Sequence, residues 1–373
     1  MANDRISTLP DEALYHILSF LPTQMAAATS ILSKRWTPLW LSVPSLFFDD
    51  QSYLRNHKPY LYFTKFIYAT ILDRDVPIRM FRLQCEASSS DLSGSDLKIW
   101  IKAAIQRGLE NLYILLPPIP NVFRPNLSSC IFCCKTLVVL KLVGLNVDEF
   151  SSVDLPSLKT LHFHNVVFQE PHYFLDLLAG CPILEYMHLT HVYYIYADAV
   201  DYIPSDRNFG SLSKLVRAEI HSIDFDTFVE SLGIDKYLED IPIFPSLTHL
   251  ELMWWGCKMN WPLVLSMLKQ CPMLQNFVLN METSTDFDDV VWISPPVVPE
   301  CLSSQLRKCS MTNYEGTKSE LNFAEYVMQN SRALQTMTIS TRCSSELMVD
   351  KLELFEKLSS CPRSSRICEL SFT

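Results

Sequence analysis

The sequence predicts an α/β protein: a small all-helical N-terminal segment, a solenoid of strand-and-helix units, and a C-terminal stretch that continues the same rhythm. Three observations carry this reading. An apolar triplet spaced i, i+3, i+5 recurs along most of the 373 residues. Amphipathic segments that end in Cys-Pro lie between its copies. Residues 1–47 instead show short helical periodicities separated by prolines.

The first helix is predicted in "LPDEALYHILSFLP", Leu9 to Pro22. Thr8 offers a capping hydroxyl, Pro10 suits the first turn, and Asp11 and Glu12 sit where the helix dipole favours acids. Leu14, Ile17, Leu18 and Leu21 follow at i, i+3, i+4 and i+7, which gives one apolar face, and Pro22 ends the helix. "QMAAATSILSKRW" predicts a second short helix with Ala28, Ile31 and Leu32 turned inward, and "WTPLW" supplies Trp36, Leu39 and Trp40. Three helices this short bury little of their own surface, so a head of this kind is expected to be completed by a partner.

The triplets run from Leu109/Leu112/Ile114 through Leu137/Leu140/Leu142, Leu158/Leu161/Phe163 and Leu184/Met187/Leu189 to Ile367/Leu370/Phe372. Ile78/Phe81/Leu83 reads as a degenerate first copy. Successive starts lie 21 to 33 residues apart. The last two members are two apart, so in a strand they point to one side, into the stack. Between strands, "YFLDLLAGCP" places Phe174, Leu177 and Leu178 on one helical face, and "WPLVLSMLKQCP" does so with Leu265, Met267 and Leu268. No single unit buries its apolar face, but stacked neighbours do. This is the pattern of irregular leucine-rich repeats of about 25 to 30 residues. "FAEYVMQNSRALQTMTI" and "KLELFEKLSSCPRSSRICELSF" each read helix then strand, so the C-terminus is expected to cap the array, with "SPPVVPE" (294–300) as the internal seam.

Composition excludes several function classes. A net charge of −10 disfavours a nucleic-acid duplex; the acidic excess lies in residues 48–294, because the segments on either side are charge-balanced. No apolar run approaches a membrane span, and no secretory signal opens the chain, so an intracellular location, nucleus or cytoplasm, is expected. The twelve cysteines read as buried free thiols. "CIFCC" (130–134) lacks a second Cys/His pair at zinc spacing, so no metal is expected there. Eight glycines, none at phosphate-loop spacing, and the absence of Gly-x-Ser-x-Gly and His-Glu-x-x-His point away from an enzyme and a cofactor.

Candidate binding residues lie on the open side of the sheet. Positions i+4 and i+6 read Lys141/Val143, His162/His164, His188/Thr190, Glu219/His221, Glu251/Met253 and Val278/Asn280. Four histidines there form either a recognition strip whose charge varies with pH or an ordinary polar sheet surface. Two aromatic segments compete with it: "HVYYIYADAVDYIPSDRNFG", with Tyr193 and Tyr194, and "WWGCKMNW", with Trp254, Trp255 and Trp261.

"LPDEALYHILSFLP" followed by "ATSILSKRWTPLW" resembles an F-box, and with the repeats and the tail "LSSCPRSSRICELSF" the whole chain is similar to the plant F-box/leucine-rich-repeat group with a C-terminal FBD region. The resemblance implies an F-box at 1–47, repeats at 48–294 and an FBD-like cap at 295–373. It implies docking on a Skp-type adaptor through Leu9, Pro10, Leu14, Ile17, Leu18, Leu21 and Pro22, with Trp36 and Trp40 locking the helices together and onto the adaptor. Family members often carry a charged pair after the second Leu-Pro, where this chain has "TQMAAAT"; that bears on the choice of adaptor. The implied function is a non-catalytic substrate receptor, linked through the adaptor to cullin and RING subunits, that presents a target protein for ubiquitination. The alternative is a repeat scaffold that binds proteins without ubiquitin transfer.

Overall fold

A computed structural model describes residues 6, 8–57, 59–72, 74–86, 92–117, 124–195, 209–221, 243–255, 261–282, 292, 294–341 and 355–373. The chain forms two compact units, Met1–Gln169 and Glu170–Thr373.

The first unit opens with three short helices, α1 (Asp11–Leu18), α2 (Thr23–Ala28) and α3 (Trp36–Leu39). Leu14, Leu18, Ala26, Trp36, Leu39 and Val43 form their common core, with Leu9, Tyr15, Leu21 and Trp40 packed at its edge. Then come β1 (Ser45–Asp49), α4 (Gln51–Arg55), α5 (Tyr60–Leu72), β2 (Met80–Gln84), α6 (Gly94–Ile105) and β3 (Asn111–Leu115). β4 (Asn126–Leu127), β5 (Val139–Val143), β6 (Asn146–Val147) and β7 (Thr160–Phe168) complete the unit. Its main sheet is parallel in the order β1-β2-β3-β5-β7, and β4 and β6 pair off this path.

The second unit runs α7 (Pro171–Ala179), β8 (Tyr186–Tyr194), β9 (Arg217–His221), β10 (His249–Trp255), α8 (Trp261–Lys269) and β11 (Asn276–Glu282). It continues with α9 (Glu300–Ser304), β12 (Lys308–Tyr314), α10 (Lys318–Asn330), β13 (Thr336–Thr341), α11 (355–360) and β14 (Glu369–Phe372). Strands β8 to β14 are parallel and lie in sequence order. The C-terminal strands are thus further rungs of the unit's ladder.

One hydrogen-bond scheme repeats down both ladders. The first triplet residue closes a turn, its amide donating to the carbonyl three residues back, as in Leu137 to Cys134 and Leu274 to Cys271, both 3.2 Å. The next carbonyl accepts two amides from the following unit: Glu110 from Val138 and Val139, Glu185 from Val216 and Arg217, Thr248 from Gln275 and Asn276. Each rung therefore fixes the register of the next. The second and third members bury into the stack, Leu140, Leu142, Leu161, Phe163, Leu250, Leu252, Met337 and Ile339 among them. Ile78, Phe81 and Leu83 are buried as a true copy, and Val43/Leu46/Phe48 forms an earlier one. The last copy departs: Ile367 is exposed, and Cys368 occupies the inner position instead.

At i+7 the backbone passes through a left-handed residue, just beyond β5 at Gly144 and inside β7, β8 and β12. Gly144, Asn165, His191 and Asn313 all sit there with φ between 53° and 74°. Asparagine tolerates this region because its short polar side chain bonds locally. The Asn165 side-chain oxygen accepts from Arg124 at 2.8 Å, and the Asn313 amide donates to the Asn280 side chain at 2.7 Å.

The helices on the other side bury the faces the sequence marks out: Phe174, Leu177 and Leu178 on α7, and Leu265, Met267 and Leu268 on α8. Trp261 belongs to this core too. It is 1% exposed and packs on Phe323 of α10 at 5.0 Å between ring centroids, so it is not a surface aromatic. Helix α10 starts in a capping box, with the Thr317 hydroxyl accepting from the Glu320 amide at 3.3 Å and Glu320 accepting from the Thr317 amide at 2.9 Å. Among the described cysteines only Cys133 is exposed and Cys130 half-buried, and none is in a disulfide. Burial pushes the Cys181 and Cys301 thiols up to about 12. Among the described residues no helix is long and apolar enough to cross a membrane.

Candidate functional site

Two surfaces carry candidates. The first is the three-helix head. Pro10 and Ile17 face solvent, and Leu9, Leu21, Pro22 and Trp40 are half-buried. Leu14, Leu18 and Trp36 are not on the surface: they are 0%, 2% and 4% exposed and make up the head's own core. The helical periodicity marks an apolar face, and its Leu14 and Leu18 edge turns inward against Trp36 and Leu39 while Ile17 stays outside. The second helix differs in the opposite sense. Ala28 is exposed, as are Ile31 (88%) and Leu32 (63%), and Ala26 takes the inward place. The chain ends its α-turn at Ala28 and tightens to a 3-10 turn over Thr29–Ile31, which rotates the following residues outward. Phe20, Met25 and Leu41 are exposed as well. The head therefore satisfies its own core and still offers Ile17, Phe20, Met25, Ile31, Leu32 and Leu41 to solvent within a short span.

A salt bridge braces this arrangement. Arg35 meets the Asp11 carboxylate at 2.5 Å and donates to the Leu9 carbonyl at 2.6 Å, tying the helix entry to the turn before α3. Asp11 and Arg35 are thus partners across the head.

The second surface is the open face of each parallel sheet. In the first unit Lys141 of β5 stands beside His162 of β7, and Val143 beside His164, all half-buried. In the second unit, His188 of β8 pairs in register with Glu219 of β9, and Glu219 with Glu251 of β10. Glu219 is the hub. It accepts from Tyr186 (2.8 Å), His188 Nδ1 (2.5 Å) and Arg217 Nε (2.5 Å). Glu251 lies 3.1 Å from His221 Nε2 and 4.0 Å from His249 Nε2. The His188 and His221 rings meet edge-on at 5.3 Å.

The electrostatics follow from these contacts. Burial alone would raise the Glu219 pKa, but hydrogen bonds from His188, Tyr186 and Arg217, with the Arg217 charge, hold it at about 2. Its partner Tyr186 is pushed up to about 12 by burial and by the Glu219 carboxylate. Burial and the Arg217 charge lower the pKa of His249. Glu219, His249 and Glu251 each offer one ligand atom, and these atoms lie within 4.8 Å of one another, the one such group among the described residues.

Tyr186, Arg217 and His249 were not among the sequence candidates. All three occupy i+2, which shares the open face with i+4 and i+6, so alternation alone could have found them. Tyr193 is 40% exposed on β8, and Tyr194 is half-buried. The backbone places Trp254 and Trp255 at the end of β10, opposite Met281 and Glu282, and their side chains lie outside the described residues. So do most of the tyrosine-rich segment (196–208) and residues 256–260.

Comparison with known proteins adds three family profiles. An F-box domain matches residues 6–48, the leucine-rich repeats of FBD-associated F-box protein At5g56370 match 97–199, and an FBD region matches 295–339. The FBD match ends before the tail "LSSCPRSSRICELSF". Along the whole chain, FBD-associated F-box protein At3g52670 of Arabidopsis thaliana is 30% identical, covering 99% of this chain and 97% of its own length. FBD-associated F-box protein At4g10400 of the same plant is 30% identical over 99% of this chain and all of its own. F-box/FBD/LRR-repeat protein At4g26340, also from Arabidopsis thaliana, is 28% identical over 99% and 100%.

Proposed function

Because the chain belongs to the plant F-box/FBD/LRR-repeat family, we propose that it is a substrate receptor of an SCF-type ubiquitin ligase. In this reading the helical head docks on a Skp-type adaptor, which brings cullin and RING subunits, and the open sheet faces hold a target protein. The chain itself breaks and makes no bonds; it raises the effective concentration of the target beside the ligase.

One observation carries the docking half. The head is already complete inside, yet Ile17, Phe20, Met25, Ile31, Leu32 and Leu41 remain exposed. Exposed apolar side chains grouped on one small element mark an interaction surface. Burying a large one is worth roughly 1.5–3 kcal/mol, enough for a few of them to serve as anchors.

The test is capture of the full chain by a purified Skp-type adaptor. Ile31→Asp with Leu32→Asp should abolish capture while the circular-dichroism melt stays where it was. Undiminished capture would overturn the docking surface. With adaptor bound, a reconstituted ligase should ubiquitinate proteins held by the chain. Capture without any ubiquitin transfer would instead identify a binding scaffold.

A further inference from the structure

We propose that the open sheet face of the first unit holds a short acidic segment of the target protein, seated across the cross-strand row Phe47, Arg82, Tyr113, Lys141 and His162. This site deepens the target-binding half of the proposed function and rests on it.

Parallel register assembles the row. Phe47 of β1 stands beside Arg82 of β2, Arg82 beside Tyr113 of β3, Tyr113 beside Lys141 of β5, and Lys141 beside His162 of β7. Each is the i+4 residue of its unit, so alternation turns all five to the open side, and all are half-buried. Neighbouring strands lie about 4.8 Å apart, so the row spans roughly 19 Å, the reach of about six extended residues.

The row alternates ring and cation, and its two permanent cations are unanswered. Arg82 lies over the Phe47 ring, with 4.5 Å from the guanidinium carbon to the centroid, and donates through Nη2 to the Gln84 side chain at 2.8 Å. The guanidinium is thereby held in place with donors to spare. It carries five N–H groups, and its Nε is shielded from solvent with no hydrogen-bond partner. Among the described residues neither Arg82 nor Lys141 pairs with a carboxylate, whereas Arg79 and Lys135, outside the row, pair with Glu110 and Asp154. The i+2 and i+6 rows on either side hold one acid, Asp49 at the sheet edge, and its Oδ1 accepts the Gln51 amide at 2.8 Å. The second unit's open face is built the other way, with Arg217 taken by Glu219 at 2.5 Å.

Carboxylates are the groups that this row fits. A fixed guanidinium can bind one bidentately, and its preorganisation spares the entropy of ordering a free arginine. Lys141, a point charge on a flexible stem, takes a second carboxylate. Tyr113 between them offers its ring to an apolar side chain. Alternate positions of an extended peptide share one side, so acid, apolar and acid at every second residue face the row together. Interleaved basic and aromatic side chains also suit single-stranded nucleic acid. A net charge of −10 repels a long phosphate chain and tolerates a pair of carboxylates.

The test is fluorescence anisotropy of the full chain with a labelled peptide containing Glu-Ser-Leu-Ser-Glu. The parent should bind it, and raising salt from about 50 to about 500 mM should weaken binding several-fold. The same peptide with glutamine in place of both glutamates should bind about tenfold more weakly. Arg82→Gln should also cost about tenfold, and Arg82→Lys, which keeps the charge but loses the fork, should recover only part of that. Lys141→Gln should cost several-fold, and because Lys141 makes no ion pair within the fold, its melting temperature should stay that of the parent. Lys308→Gln, at an exposed lysine of the second unit's sheet, should change nothing. The assignment is overturned if the parent leaves the peptide free, if the glutamine peptide binds equally well, or if Arg82→Gln and Lys141→Gln both bind like the parent. Tighter binding of a labelled oligouridylate than of the peptide would overturn it too, by making the row a nucleic-acid site. Adaptor capture of the same preparation reads the docking half separately: capture with no peptide bound overturns this site alone, and peptide bound without capture upholds it.

Discussion

The hydroxyl of Thr23, in α2, accepts the amide proton of Phe47, in β1, at 2.8 Å. Helical head and first strand are thereby built as one piece. Thr23 is buried, and Gln24 adds a bond from its side chain to the Asp49 carbonyl. Val43, at the end of the head's core, is also the first member of the earliest repeat, Val43/Leu46/Phe48. Thr23→Val keeps the shape but leaves the edge amide of β1 without its acceptor. It should cost about 1–3 kcal/mol, read as a lowered urea midpoint with an unchanged slope. An unchanged midpoint would mean that water replaces the hydroxyl freely.

The inward placement of Leu18 separates folding from docking. Leu18→Ala removes a side chain that is 2% exposed beside Trp36 and should cost about 2–5 kcal/mol. A matching change at Ile31, 88% exposed, should stay within about 0.5 kcal/mol. Urea unfolding of Leu18→Ala and Ile31→Ala checks the contrast. If Ile31→Ala proves as destabilising as Leu18→Ala, the outward rotation after Ala28 is wrong.

These placements mark what periodicity can and cannot say. The triplets were readable because strand spacing and a fixed turn leave the same three apolar positions in every unit. Val43/Leu46/Phe48 is masked in the sequence because head and ladder share those residues. On α1, the 3.6-residue rhythm groups Leu14, Ile17 and Leu18 but does not say whether a partner or the chain's own Trp36 fills the other side. The helical pattern points Ile31 and Leu32 inward, but the turn over Thr29–Ile31 tightens to 3-10 geometry and leaves both exposed. On the sheet, alternation located His188, Glu219, His221 and Glu251. Their coupling depends on parallel register between strands offset by 31 and 32 residues in sequence, and nothing local in the sequence fixes that.

The left-handed positions give a paired test at glycine. A Cβ on Gly144 would stand 2.8 Å from the Leu116 carbonyl oxygen, at φ +74°, whereas one on Gly108, at φ +81°, meets nothing within 4 Å. Gly108→Ala should therefore lose only the left-handed penalty, about 1–2 kcal/mol. Gly144→Ala should lose that and more, because backbone must move to relieve the contact. Thermal melts of the two variants measure the difference. Equal losses would show that the ladder relaxes at Leu116 without resistance.

Acid should loosen the second unit through Glu219. Its pKa is held at about 2 in the fold, below the ordinary value of 4.5. A carboxylate depressed in this way adds stability above its unfolded pKa and loses it as pH falls from about 4.5 toward 2, because the unfolded chain then binds the extra proton. His249 acts in the same direction at higher pH. Its folded pKa lies below 6.5, so the unfolded chain gains a proton first as pH drops through that value. Allowing for solvent screening, the Glu219 network is worth about 1–2 kcal/mol at neutral pH. Melting temperature measured from pH 7 to pH 3 should fall more steeply below pH 4.5 in the parent than in Glu219→Gln, which keeps the shape and one acceptor oxygen but carries no titrating charge. Parallel curves for the two proteins would show that Arg217, Tyr186 and His188 gain nothing from the charge on Glu219, and the hub would then be a set of neutral contacts.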